Sequence, residues 1–379
     1  MRLSQLQVMI VVIIAASFMF GTAAQTKADP SEIIIGVCGA MSGPSQAYGQ
    51  SMQRGAELAA EMITRRPDPF SNLPVRLIIV DDGNDETLTS QRVTSLIYDD
   101  ECLALIGTTD SGCTHVAARL AFKSRVPLIA TIATDPSLTR LGNPWVFRNL
   151  ADDLVQGRRL VRHMVDTRRL RNLFIAHIDT RYGRGGAAVV GNAARDVGAR
   201  THSAPFSKGQ EDFEPLITTI RNTNPEAIII WGLYEEGARL LAALRRNNLH
   251  LPVFGPDGLA SPAFIERAGN ASEGVVVTYP FDDRAANNPL VAQFVTDYER
   301  RWGEKPDSFA AHAFDAVYLI AEAVRRGGPD RESIRNQLAQ MRDFWGVTGI
   351  LAFDSEGNIN LPVHLATVRE GRFVLLERE

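Results

Sequence analysis

The chain has 379 residues and a formal net charge of −4, with 22% charged and 45% hydrophobic residues. This nearly balanced charge gives no electrostatic case for nucleic-acid binding, which depends on strongly basic surfaces. The length is sufficient for two domains of ordinary size, each with its own hydrophobic core.

The first 24 residues are typical of a secretory signal peptide. Arg2 precedes an apolar run from Val8 to Phe20, and residues 21–24 are small. We therefore expect cleavage after Ala24 and an exported, soluble mature protein. An uncleaved anchor is the alternative, although the apolar run is shorter than the roughly 20 residues that span a bilayer.

From residue 33 onward, short apolar strands alternate with helices, which predicts βαβ units and a parallel sheet. A second set of such units begins after Asn143-Pro144. The predicted fold class is therefore α/β, with two similar doubly wound lobes. The predicted strands are 33–37, 75–80, 103–106, 127–132, 145–148, 173–178, 200–204, 227–231, 253–255 and 275–279. The predicted helices are about 47–64, 88–98, 114–125, 154–166, 185–197, 213–222, 235–247, 290–302, 309–326 and 333–342. Strands 349–353 and 363–368 are predicted to form a hairpin around Gly357-Asn358.

The segment 103–136 carries the clearest indication of a site. Its first strand runs into a small polar turn, 107–114, from which a helix is predicted to begin at Thr114, and its second strand ends in Ala133-Thr134. Ligands bind at this carboxyl edge of open α/β sheets. Free N–H groups at a helix start, together with Ser and Thr hydroxyls, hold anionic groups such as a carboxylate. No side chain here is arranged for bond breaking, so we expect a binding site.

The three cysteines are Cys38, Cys102 and Cys113. A predicted strand separates Cys102 from Cys113 by too great a distance for a disulfide. Cys38 lies near the end of the first strand and could approach Cys113. A bridge between these two and buried free thiols are both compatible with the sequence.

Short motifs occur in a fixed order along nearly all of the mature chain. They include Ser42-Gly43-Pro44, Ala47-Tyr48-Gly49, Ser111-Gly112, Ala133-Thr134, Tyr182-Gly183 and Gly255-Pro256-Asp257-Gly258. This ordered set resembles the leucine/isoleucine/valine-binding proteins, which are exported solute-binding subunits of ABC importers.

The resemblance implies a type I periplasmic-binding-protein fold, in which two α/β lobes joined by three chain crossings enclose the ligand. Lobe one would comprise residues 31–147 and 279–346, and lobe two residues 148–278 and 347–379. It further implies a periplasmic monomer without a cofactor, which delivers an amino-acid-like ligand to an inner-membrane ABC permease.

The resemblance also implies binding residues. Ser111 and Thr134, with the backbone around Ala133, would hold the ligand's α-carboxylate, and Asp257 would hold its α-ammonium. Aromatic positions of the family match Tyr48, Tyr182 and Tyr234. Each position has a structural alternative as well: the hydroxyls could cap helices, the tyrosines could be packing residues, and Asp257 could serve its turn.

The chain departs from the family at one pair of positions. Many relatives carry a disulfide where this chain has Asn84 and Asp110, so that bridge is absent here. Asp110 also introduces a carboxylate beside the expected carboxylate site. It could repel an aliphatic amino acid or bind a basic or polar side chain, so both a branched-chain ligand and a polar or amide relative fit the sequence.

Other functions fit the sequence less well. The segment Gly183 to Ala188 matches the dinucleotide fingerprint, but the acidic residue expected about 20 positions later is missing. Ser111 and His115 could form a nucleophile and base, yet no G-x-S-x-G motif surrounds the serine. The histidines show no metal-binding spacing. We therefore expect neither an enzyme nor a metal site.

A ligand sensor of the same fold, acting through a separate partner, is the alternative function, because fold alone does not distinguish it from a transport protein.

Overall fold

The computed structural model describes residues 31–65, 73–284 and 288–376. The predicted signal peptide and its cleavage after Ala24 lie outside these residues. Within them, two sheets of mostly parallel strands are covered by helices, which confirms the predicted α/β class with two lobes. No helix in this described part of the chain is long and apolar enough to cross a membrane.

The first sheet has five parallel strands in the order β2-β1-β3-β4-β5. Apolar residues fill β1 and β3 without alternation because helices cover both faces of the sheet. The strands are β1 (Ile33–Gly39), β2 (Val75–Asp81), β3 (Ala104–Gly107), β4 (Leu128–Ala130) and β5 (Val146–Arg148). The helices between them are α1 (Gln46–Arg65), α2 (Glu86–Tyr98), α3 (Ser111–Ser124) and α4 (Ser137–Arg140).

The second sheet has seven strands in the order β14-β13-β10-β9-β8-β6-β7, and its strands from β10 to β7 are parallel. They are β6 (Asn172–Ile178), β7 (Arg200–Phe206), β8 (Ala227–Trp231), β9 (Val253–Gly255), β10 (Val276–Tyr279), β13 (His364–Arg369) and β14 (Arg372–Leu375). The helices of this half are α5 (Asp153–Arg162), α6 (Arg181–Asp196), α7 (Glu214–Thr223), α8 (Tyr234–Arg246) and α9 (Pro262–Ala268).

The chain passes between the two sheets three times, after β5, after β10 and before β13. Between the second and third crossings lie α10 (Pro289–Trp302), α11 (Ser308–Gly327) and α12 (Arg331–Gln340), and α11 packs on α1 and β3 of the first sheet. The first and third crossings are joined at Arg148, which is completely buried. Its backbone N–H donates to Gly357 O at 2.8 Å, and its guanidinium donates to Asn358 Oδ1 at 2.5 Å and to Asp135 O at 2.7 Å.

The predicted hairpin of strands 349–353 and 363–368 is wrong. A short strand β12 (Gly349–Leu351) pairs instead with β11 (Phe344–Gly346), and β13 pairs with β10 and β14. The turn at Gly357-Asn358 serves the chain crossing at Arg148 rather than a hairpin. In the seven-stranded sheet, β13 pairs with four residues of β10, whereas β12 has only three residues to offer.

Two helices begin three or four residues earlier than predicted, and both starts carry predicted site residues. Helix α3 begins at Ser111 because the side chain of Asp110 caps it by accepting from Gly112 N at 2.7 Å. Helix α6 begins at Arg181 because the Thr180 hydroxyl accepts from Gly183 N at 3.3 Å.

All three cysteines are buried free thiols, so Cys38 and Cys113 do not form a bridge. The Cys38 thiol donates to Asp82 Oδ2 at 3.6 Å, and the Cys113 thiol donates to Asn84 Oδ1 at 3.7 Å. Burial raises the pKa of Cys113 to about 12, which keeps it in the unreactive thiol form.

Candidate ligand-binding site

A cavity of about 20 Å³ lies where loops that follow strands of both sheets meet. Its volume is little more than the roughly 10–15 Å³ that one water molecule requires. The two lobes are hydrogen-bonded to each other beside it, so the structure is a closed form. Six of the seven predicted binding residues contribute to its wall, and Tyr234 does not. The lining residues are Tyr48, Thr109, Asp110, Ser111, Ile132, Ala133, Thr134, Tyr182, Leu233, Asp257, Gly258 and Phe309.

On the side of the first lobe, hydroxyl groups reach the cavity from two neighbouring strand ends. Ser111 stands in the first turn of α3, and its buried Oγ has no hydrogen-bond partner. Thr134 and Ala133 follow β4 and are also buried. Since the N-terminus of a helix carries partial positive charge, this wall favours an anionic group.

Asp110 also reaches the cavity, but its carboxylate is directed at the helix start. Its Oδ1 accepts the N–H of Gly112, so the aspartate takes the role of an N-cap. Burial nevertheless raises the pKa of Asp110 above its ordinary value. The carboxylate that could repel an aliphatic amino acid or bind a basic or polar side chain is therefore hydrogen-bonded to the backbone of its own helix.

Two tyrosines close the cavity from opposite lobes. The hydroxyl of Tyr48, on α1, donates to Gly258 O and accepts from Tyr234 N at 2.9 Å, so it links α1 to the second lobe. Tyr234 lies behind it, with ring centroids 4.9 Å apart, and its hydroxyl accepts from Ala47 N at 3.3 Å. The hydroxyl of Tyr182 is buried without a partner at the start of α6. Burial raises the pKa of both Tyr48 and Tyr182, so both phenols stay neutral.

On the side of the second lobe, Asp257 follows β9 and supplies a buried carboxylate. Its Oδ2 accepts from Nε2 of Gln156 at 2.8 Å, and its backbone N–H donates to Oε1 of the same side chain at 3.1 Å. Burial raises the pKa of Asp257 to about 7, although the hydrogen bond from Gln156 opposes that rise. A cation placed beside this carboxylate would stabilise its charged form.

Asp153, which the sequence reasoning missed, adds a second carboxylate behind Thr134. Its backbone N–H donates to Thr134 O at 2.9 Å, and neither of its carboxylate oxygens has a hydrogen-bond partner of good geometry. Burial raises the pKa of Asp153 well above its ordinary value, and the charge of Asp257 adds to the rise. The adjacent aspartates Asp152 and Asp153 could have indicated this second carboxylate in the sequence. A helix needs only one N-cap, and Asp152 caps α5 by accepting from Val155 N at 3.0 Å, so Asp153 is left without a capping role.

A polar cluster outside the cavity wall also connects the lobes. Nε of Arg181, in the first turn of α6, donates to Asp135 Oδ2 at 2.7 Å, and its Nη2 donates to Ser137 Oγ at 3.0 Å. The His115 ring lies 2.8 Å from the same carboxylate oxygen. Hydrogen bonds from His115, Ser137 and Arg181 outweigh burial and lower the pKa of Asp135.

The arrangement is suited to recognition rather than bond breaking. The Ser111 hydroxyl has no base bonded to it, and His115 is engaged by Asp135 instead. Among the described residues, no group of three or more His, Cys, Asp or Glu side chains could hold a metal ion. The cavity instead presents hydroxyls near a helix start on one side and the carboxylate of Asp257 on the other.

A family profile described as periplasmic binding protein matches residues 32–372. The chain belongs to this family. Similar proteins include Leu/Ile/Val-binding protein homolog 1 of Brucella melitensis, which is 26% identical over 353 residues, or 93% of this chain and 92% of that protein. These matches confirm the resemblance found in the sequence motifs.

Solved structures of this periplasmic binding protein family have the same fold. The leucine binding protein LivK of Thermotoga maritima is 26% identical, with a TM-score of 0.87 over 91% of this chain and 98% of that one. LivJ of Streptococcus pneumoniae, solved in complex with isoleucine, is 25% identical, with a TM-score of 0.83 over 91% of this chain and 100% of that one.

Proposed function

We propose that this binding protein captures an amino acid between its lobes and delivers it to an inner-membrane ABC permease. The ligand is a branched-chain amino acid or a polar or amide relative. The protein acts in the periplasm as a monomer after removal of residues 1–24, and it catalyses no reaction. Lobe one comprises residues 31–147 and 279–346, and lobe two comprises residues 148–278 and 347–379.

The names of the similar proteins support this ligand class. LivJ holds isoleucine, and LivK is described as a leucine binding protein. A Pseudomonas aeruginosa protein, 26% identical over 86% of this chain, is named for binding leucine, isoleucine, valine, threonine and alanine.

One observation carries the proposal: an unpartnered hydroxyl and a buried carboxylate face one cavity from opposite lobes. Ser111, with Thr134 and the backbone at Ala133, would hold the α-carboxylate, and Asp257 would hold the α-ammonium. Charge-assisted hydrogen bonds of this kind are strong only where water is excluded. Since only the closed form offers both contacts, a zwitterion stabilises closure. Tyr48 and Tyr182 line the space between the two ends, and Tyr234 supports Tyr48 from behind.

A thermal-shift screen with leucine, isoleucine, valine, threonine, alanine and glutamine tests the proposal. A ligand at 100 times its dissociation constant adds about 2.7 kcal/mol to the free energy of unfolding. Asp257→Asn should abolish the shift for amino acids but spare the corresponding 2-hydroxy acids, which lack the ammonium. Replacement of Asp179, an exposed carboxylate, by Asn is the matched control. An unchanged shift for the amino acids in Asp257→Asn would remove Asp257 from the site.

Delivery is tested separately by the uptake of a radiolabelled amino acid that the screen has identified. Cells that lack the protein should take up less of it, and complementation should restore uptake. Unchanged uptake would contradict the transport role.

A further inference from the structure

We propose that Gln156 is a positioning residue that aims the Asp257 carboxylate at the cavity and favours its ionised form. The inference rests on the proposed function, because it assumes that Asp257 meets the ligand's ammonium. Gln156 does not line the cavity, and nothing in the sequence motifs singles it out.

The hydrogen bonds of Gln156 fix the orientation of its amide. Its Oε1 accepts from the backbone N–H of Asp257 at 3.1 Å and from the hydroxyl of Thr278 at 2.5 Å. Since a backbone N–H can only donate, this atom must be the oxygen. Nε2 therefore donates, to Ala151 O at 3.0 Å and to Asp257 Oδ2 at 2.8 Å. The amide is completely buried, so no water competes for these bonds.

This geometry restricts where Asp257 best carries a proton. An N–H aimed at Oδ2 is accepted best by an unprotonated oxygen, so a proton on the carboxyl is favoured on Oδ1. The Gln156 amide is hydrogen-bonded both to the backbone N–H and to the carboxylate of Asp257. These two contacts restrict rotation of the Asp257 side chain. The hydrogen bond from the Thr278 hydroxyl connects the Gln156 amide to β10, the last strand before the second chain crossing.

Among the residues that the structure describes, no basic side chain is hydrogen-bonded to Asp257 to compensate its charge. The ionisable groups around it are Asp153 on α5, Tyr182 on α6 and Tyr48 on α1, and each of them is neutral or negative. The Gln156 N–H is therefore the main side-chain contact that favours the carboxylate over the carboxylic acid.

The first test needs no ligand. The titration of Asp257 is followed by NMR in protein labelled with ¹³C at the aspartate carboxyl carbon, with Asp257→Asn used to assign the signal. Gln156→Met, which keeps the length but not the hydrogen bonds, should raise the pKa of Asp257 by one unit or more. Gln156→Glu keeps an acceptor for Thr278 but loses the donor to Asp257, so it should also raise the pKa of Asp257. This second variant keeps the test available if Gln156→Met does not fold. Thr278→Val, which leaves the amide in place, should shift the titration less. Coincident titration curves for wild type, Gln156→Met and Gln156→Glu would overturn the proposal.

The second test uses L-leucine and L-isoleucine as probes across pH 6–9. Each unit of increase in the Asp257 pKa should weaken binding up to tenfold below that pKa and leave it unchanged well above it. A purely structural defect would instead weaken binding equally at all pH values. If Asp257→Asn binds as wild type does while Gln156 still controls the Asp257 titration, the ammonium assignment fails and the positioning role stands. If Asp257→Asn loses binding but Gln156 does not move the titration, only the positioning role fails.

Discussion

A buried carboxylate loses its hydrogen bonds to water and needs hydrogen-bond donors or positive charges to replace them. Asp257 has one side-chain donor, the amide of Gln156, and the only side-chain donor within the described ranges that lowers the pKa of Asp153 is the Thr134 hydroxyl. The nearest full positive charge acting on Asp153 is Arg148, which is shared with Asp152. Two carboxylates with so little compensation suit a site that receives a cation, which is the role that we propose for the ligand's ammonium.

The raised pKa of Asp257 predicts how the stability of the ligand-free protein depends on pH. Because its folded pKa is about 7, against an ordinary value of 3.8, the folded state holds a proton that the unfolded state releases. The free energy of unfolding should therefore fall as pH rises from about 4 through 7. Asp257→Asn should reduce this fall by roughly 1–3 kcal/mol.

Urea unfolding of ligand-free protein at pH 5 and pH 8 measures this effect. Asp153 shifts in the same direction, so the variant should keep part of the slope. Asp179→Asn, which removes an exposed carboxylate, controls for the change in net charge. A slope in Asp257→Asn equal to that of wild type would show that Asp257 is already ionised when the ligand-free protein is folded.

At the scale of single elements, the start of α6 contacts the first lobe through an ion pair. Arg181 is half exposed, and its partner Asp135 is nearly buried. Partly exposed pairs contribute about 0.2–1 kcal/mol and are screened by salt. The contact therefore adds to closure without controlling it.

Replacement of Arg181 by Ala should accelerate ligand dissociation by no more than about fivefold, because one partly exposed ion pair is lost. Stopped-flow measurements of dissociation at low and high salt test this, since the difference should shrink in high salt. Arg184→Ala is a close control: Arg184 pairs with Asp179 at 2.6 Å within the same lobe. Equal acceleration in both variants would contradict a contribution of the ion pair between lobes.

The sequence predicted elements well wherever local pattern and burial agree. Strands 227–231 and 253–255 have the predicted bounds, because both are short apolar runs covered on two faces. The prediction of a hairpin at 349–353 and 363–368 was wrong because β13 pairs with β10, a strand distant in sequence. No local pattern indicates that pairing.

The site could be predicted only in part. Motif order identified six residues that line one cavity, since each lies in a loop or a first helical turn that follows a strand. Gln156 and Asp153 were missed because both lie in the first turns of an ordinary amphipathic helix. Their roles depend on Thr278 and Thr134, which are distant in sequence.

At the scale of the whole molecule, the Tyr48 hydroxyl is one of the contacts that bridge the lobes beside the cavity. It satisfies Gly258 O and Tyr234 N in the closed form. In an open form, water would satisfy the same two groups. Removal of the hydroxyl therefore costs more in the closed form than in the open one.

Tyr48→Phe should weaken ligand binding by about tenfold, since unsatisfied buried groups cost about 1–3 kcal/mol. Small-angle scattering should show a larger radius of gyration than for wild type at subsaturating ligand. Tyr98→Phe is the matched control, because the Tyr98 hydroxyl bonds Ser124 at an exposed position within the first lobe. Unchanged affinity in Tyr48→Phe would show that this bridge does not favour closure.

The buried junction at Arg148 has a practical consequence for biosensors built from this protein. Gly357 has a positive φ of 79°, and a Cβ there would come within 2.6 Å of Val146 O. Insertion of a fluorescent reporter at 357–358 would therefore break the hydrogen bond from the Arg148 guanidinium to Asn358, where two of the three chain crossings are joined. Dyes attached on either side of the cleft, away from residues 148 and 357–358, would leave this junction intact.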